Sequence, residues 1–95
     1  MDSDNPVKSV LDSVRFSLRY DNKTFDNEIL ELIEAAKADL RLAGVGRIED
    51  DDPLILMAIT QYVKGNWGYG EPKPQYLEVY EKIKIRLCLA GAYRV

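Results

Sequence analysis

The sequence predicts an all-α protein, a small bundle of four helices around one central apolar helix. Three observations lead there. Apolar residues recur at helical spacing in four separate stretches. Proline, acidic or glycine signals bracket most of those stretches. No run of alternating apolar and polar residues marks a convincing strand. The 95 residues make one domain, residues 1–95, large enough for a core yet near the small end of the range.

The first helix is expected over residues 7–18, opened by the cap-plus-proline pair Asn5-Pro6. Val7, Val10, Leu11, Val14 and Leu18 share one face, with Phe16 pointing the opposite way. Residues 19–24 (R-Y-D-N-K-T) break the pattern with turn-forming Asp and Asn. A second helix starts at Phe25 or Asp26 and ends at Ala43. Its apolar face is Phe25, Ile29, Leu32, Ile33, Ala36, Leu40 and Ala43. Glu28, Glu31 and Glu34 come early and Lys37 and Arg41 late, as the helix dipole favours. Gly44 is placed to terminate it in a left-handed conformation.

Residues 45–51 form a linker, polar and acidic apart from Val45 and Ile48. The central helix, residues 52–67, follows with Asp52 as N-cap and Pro53 at the first helical position. Leu54, Ile55, Leu56, Ala58, Ile59, Tyr62, Val63 and Trp67 cover an arc of roughly 220°. Only Thr60, Gln61 and Lys64, with Met57 between them, face the other way. A stripe that wide needs covering on two sides, which makes this the centre of the bundle. Gly65 weakens its last turn by up to ~1 kcal/mol relative to Ala. Residues 68–74 hold two glycines and two prolines and cannot be helical throughout.

The last helix runs from Pro74 or Gln75 to Ala90. Tyr76, Tyr80, Ile83, Leu87 and Ala90 form its buried stripe, joined by Val79. Ile85 and Leu89 fall on the opposite side, Leu77 and Cys88 on the flank, and Gly91 closes the helix.

Composition narrows the function. Hydrophobic residues are 46% and charged residues 31%, the balance of a folded globular chain. No run approaches a membrane span, and the acidic start M-D-S-D-N-P lacks the basic character of a signal peptide. Cys88 is the lone cysteine, read as a buried small hydrophobe in a reducing interior. A net charge of −3 argues against dedicated nucleic-acid binding, which rests on neutralising phosphates.

No catalytic, cofactor or metal residues emerge. Histidine is absent, removing the commonest general base and metal ligand. Three consecutive carboxylates, Asp50, Asp51 and Asp52, cannot all face one ion and lack the spacing of a calcium loop. They read as a cap, Asp52, plus solvated charge. Asp21 to Asp26 fails the same template, and Glu28, Glu31 and Glu34 read as a solvated face. The glycines at 65, 68 and 70 follow a helix, whereas a phosphate-binding loop precedes one.

One set of residues stands apart. Phe16, Ile85 and Leu89 oppose the core stripes, and Trp67 with Tyr69 sits where a helix runs into a loop. Scattered exposed apolar residues are normal on any surface. The other reading of these five is an oligomer or partner interface.

The order of motifs also resembles a known family. A short first helix is followed by F-D-N-E-I-L-E-L-I-E-A-A-K-A-D-L (25–40), then D-D-P-L-I-L-M-A-I-T-Q-Y-V-K-G-N-W-G-Y (51–69), then Y-L-E-V-Y-E-K-I-K-I-R-L-C-L-A-G-A-Y (76–93). This is similar to the small head–tail connector proteins of tailed bacteriophages and prophages, often described as DNA-packaging proteins. The resemblance covers nearly the whole chain and is strongest at the D-D-P-L-I entry and N-W-G-Y exit of the central helix. It implies a homo-oligomeric ring under the portal, with the portal protein and tail-completion proteins as partners. DNA would pass through without sequence-specific binding. The implied location is the virion head–tail junction, and the bacterial host cytoplasm before assembly. The alternative from another class is a small helical DNA-binding regulatory module. That would need basic residues at the start of a recognition helix, where this chain offers an acidic turn at residues 45–52.

Overall fold

The computed structural model describes residues 9–68 and 70–94. Four α-helices and one terminal 3-10 turn make up its regular structure, with no strand among the described residues. The helices are α1 (Val10–Ser17), α2 (Asp26–Leu42), α3 (Pro53–Asn66) and α4 (Pro74–Leu89).

Helix α1 starts later than residue 7. Ser9 is extended, and its hydroxyl accepts from the Asp12 N–H at 3.0 Å, which caps a helix beginning at Val10. The Asn5-Pro6 signal lies outside the described residues. Val10 and Val14 are buried as the stripe requires. At the other end Arg19 takes a left-handed φ of 70°. Its N–H donates to the Phe16 carbonyl and the Tyr20 N–H to the Arg15 carbonyl, the paired bonds of a Schellman turn.

Helix α2 follows its expected bounds within a residue and ends the same way. Gly44, with φ of 104°, donates to the Arg41 carbonyl, and Val45 donates to Leu40. Val45 and Leu40 are both buried, the apolar contact that accompanies this turn. Val45 is therefore core rather than linker. Ile29, Ile33, Ala36 and Leu40 supply the buried face of the helix. Phe25 lies at its edge, more than a third exposed, against the rings of Tyr20 and Trp67.

Helix α3 is the hub, packing against α1, α2 and α4. Asp52 caps it as expected, Oδ1 accepting from Leu54 N at 2.8 Å and Ile55 N at 3.4 Å. Ile55, Ala58, Ile59 and Val63 are buried. Leu54, expected within the apolar arc, is instead 48% exposed, on the same side of the helix as Met57 three residues on. Gly65 is buried for a reason the propensity argument misses. A Cβ built there would collide with the Leu77 side chain, so glycine lets α4 close on the end of α3. The Lys73 N–H donating to the Gly65 carbonyl holds that approach.

Helix α4 buries Tyr80 and Leu87, with Ile83 and Cys88 packed partly against the core. Cys88 is thus half-buried, not enclosed. Val79, assigned to the core stripe, is 40% exposed; it sits a quarter turn from Tyr80 and reaches the rim of the contact. Gly91 does not close the helix by a left-handed turn. Ala90 is extended, and residues Gly91–Tyr93 form a 3-10 turn. This turn brings Tyr93 back over the linker. The Tyr93 carbonyl accepts from Gly46 N and Arg47 N, and its hydroxyl donates to Asp52 Oδ2 at 2.7 Å.

Three polar ties therefore join distant parts of the chain. Arg15 grips Asp26 with two bonds of 2.8 and 2.9 Å between α1 and α2. The Tyr80 hydroxyl donates to Asp39, which also accepts from Lys84, between α4 and α2. Tyr93 with Asp52 is the third. Each lowers the carboxyl pKa of its aspartate, through Arg15 at Asp26, Tyr80 at Asp39 and Tyr93 at Asp52. Asp50, read as solvated charge, is exposed and pairs with Lys37, whose Nζ lies 2.9 Å from its Oδ1.

Ile59→Ala is expected to cost about 2–5 kcal/mol by emptying a fully buried site, whereas Leu54→Ala on the same helix costs about 1 kcal/mol or less. Chemical denaturation of the two variants checks this; equal losses would remove α3 from the centre of the core. The sign of the pH dependence follows from the aspartates. A carboxyl depressed in the folded state stabilises above its unfolded value, and that contribution is lost as pH falls through the folded value. The melting midpoint should hold above about pH 5 and fall progressively below about pH 4. Asp39→Asn should flatten part of that slope in melts recorded across the range, and an unchanged slope would show that the Tyr80 tie carries none of it.

Candidate assembly interface

The five residues singled out in the sequence occupy two distinct places, as far as they are described. Ile85 and Leu89 stand on the outer face of α4, 53% and 72% exposed. They are one turn apart, with Lys82 and Arg86 along one side of them, so the face reads as an apolar pair bordered by two cations. Ile85 also borders a shallow depression formed with Pro72, Pro74 and Leu77.

Trp67 and Phe16 belong to the other place. Trp67 is the C-cap of α3, extended and partly packed on the core. Its indole N–H donates to the Tyr20 hydroxyl at 3.1 Å. The rings of Tyr20, Phe25 and Trp67 meet with centroids 5.0 to 6.0 Å apart, a spacing at which aromatic pairs attract beyond simple burial. Phe16 is 69% exposed and lines an adjoining groove with Arg15 and Tyr20. Tyr69 lies outside the described residues.

This aromatic edge depends on local backbone. The left-handed Arg19 directs Tyr20 back toward the exit of α3, although an arginine there costs roughly 1–2 kcal/mol more than glycine would. Phe25, as the residue before α2, then fills the angle between Tyr20 and Trp67. Together with Glu28, Glu31 and Leu32 the three rings line a groove of about 390 Å³. The sequence pattern places Tyr20 only in a break between helices and Phe25 only on a core face. The signal available was the placement of both aromatics at helix ends, as with Trp67.

Glu28 and Glu31 are exposed at the groove rim. Among the described residues no three His, Cys, Asp or Glu are grouped to hold a metal ion. No helix among them is long and apolar enough to cross a membrane. Residues 43–52 separate α2 from α3, far more than the three or four residues of a helix–turn–helix corner.

A family described as phage connector protein matches residues 10–94. The chain belongs to the phage connector proteins. The match spans all four helices of this connector and its terminal turn, and with it the role is that of a structural phage component. No curated protein and no solved structure is matched.

Because Arg19 occupies a conformation that suits glycine, Arg19→Gly is expected to raise stability by about 0.5–1 kcal/mol while leaving Trp67 fluorescence unchanged. Denaturation followed by that fluorescence checks both; a loss of stability would mean that the arginine side chain itself supports the turn.

Proposed function

We propose that this protein is a structural part of the head–tail connector of a tailed phage or prophage. In this reading many copies form a ring below the portal, through which DNA is packaged and passes, and to which the tail joins. Membership of the phage connector family over residues 10–94 carries the connector role. The ring is supported by the two separate apolar surfaces, Ile85 with Leu89 on α4 and Phe16 with the Trp67 cluster on another edge. A ring needs two different patches that meet head to tail. The portal and tail-completion proteins are the neighbours such a ring would have. A net charge of −3 suits a conduit, which must not retain the polymer it passes.

The test is assembly. Ile85→Lys with Leu89→Lys should leave the monomer folded, because both side chains are already exposed. It should abolish the ring, since two ammonium groups would have to be buried without partners. Light-scattering mass beside a thermal melt reads both outcomes. A folded double variant that assembles like the parent would exclude this face, and a parent that never assembles, alone or with the portal, would exclude the ring.

A further inference from the structure

Two carboxylates rim one surface and two cations border the other. Glu28 and Glu31 rim the aromatic groove, while Lys82 and Arg86 lie beside Ile85 and Leu89. None of the four joins an ion pair among the described residues, although Asp12, Asp26, Glu34, Asp39, Asp50 and Glu81 all do. We propose that the groove of one copy receives the Lys82–Ile85–Arg86–Leu89 strip of α4 from a second copy. This deepens the ring reading and rests on it.

The spacing fits. Glu28 and Glu31 are three residues apart on one helix and Lys82 and Arg86 four apart on another, and both separations put neighbouring side chains about 5–6 Å apart. Two cations can therefore face two carboxylates in one register. Beside that charged row Ile85 and Leu89 meet Tyr20, Phe25, Leu32 and Trp67, the arrangement of an amphipathic helix laid in an apolar groove. Apolar burial supplies most of the affinity, and the rim charges set register and encounter rate.

Register is also guarded by repulsion. Glu78 and Glu81 lie on the preceding turns of α4 and are exposed. Sliding the strip by one turn would set them against Glu28 and Glu31, a like-charge clash that penalises the wrong alignment. Since strip and groove are different surfaces, each copy that docks leaves one of each open. Association therefore propagates around a ring instead of stopping at a two-fold dimer.

Charge reversal tests the pairing. Lys82→Glu with Arg86→Glu is one variant, and Glu28→Lys with Glu31→Lys the other. All four side chains are exposed, so folding should survive, and circular dichroism confirms it. Should either fail to fold, the neutral pairs Lys82→Gln with Arg86→Gln and Glu28→Gln with Glu31→Gln replace them. In sedimentation velocity at about 0.1 M salt, each reversed variant alone should associate at least about tenfold more weakly than the parent. An equimolar mixture of the two reversed variants should regain mass, because each groove then meets a strip of opposite sign. With the neutral pairs, the expected result is weakening and a loss of salt sensitivity. A parent that assembles while the variants behave like it, or whose reversed variants fail to recover on mixing, overturns this pairing and leaves the ring standing. A parent that remains a monomer overturns both.

Discussion

Helix α3 is apolar over more of its circumference than one neighbour can cover, and the rest of the structure answers that requirement. Ile55, Ala58, Ile59 and Val63 lose all solvent contact only because α1, α2 and α4 all pack against the same helix. Buried aliphatic area of this kind is the main favourable term in a small domain. Gly65 lets α4 close onto α3, since a Cβ at residue 65 would force the Leu77 side chain to move. The glycine costs helix propensity and leaves Leu77 its place against α3. The slab that results, 37 × 37 × 18 Å, leaves the outer face of α4 and the aromatic edge at the end of α3 uncovered.

Polar groups then fix how the covering helices sit. Both α1 and α2 end in Schellman turns, one on glycine and one on arginine. The first sends Val45 into the core and the second sends Tyr20 toward Trp67. Asp52 serves twice, one oxygen capping α3 and the other holding Tyr93. The same carboxylate thus couples the start of the central helix to the last turn of the chain. Such shared groups make a small bundle cooperative, since loss of one partner leaves the other unsatisfied.

For a connector, the functional consequence is a rigid body with two dissimilar open faces. The stiffness comes from the core and its ties; the openness comes from apolar residues that the fold leaves partly exposed. Ile85 and Leu89 on α4 stay largely exposed in the monomer, and Lys82 and Arg86 beside them join no ion pair among the described residues. A chain whose fold is complete without these residues has them available for contact with another molecule.

Four helices, their order, the cap at Asp52 and the termination at Gly44 were legible in the sequence, because periodicity and capping act over a few residues of contiguous chain. So were the exposed positions of Ile85 and Leu89, which depend only on the phase of one helix. The cap at Ser9, the reason for Gly65, the tie from Tyr93 to Asp52 and the meeting of Tyr20, Phe25 and Trp67 were not. Tyr93 and Asp52 lie 41 positions apart, and Trp67 and Tyr20 lie 47 apart. No local pattern encodes such partners; they follow from how helices cross and where the turns between them point. By itself the sequence determined which stretches are helical and which of their faces seek burial. Only the tertiary structure decided which faces found cover, because that depends on the packing of all four helices at once.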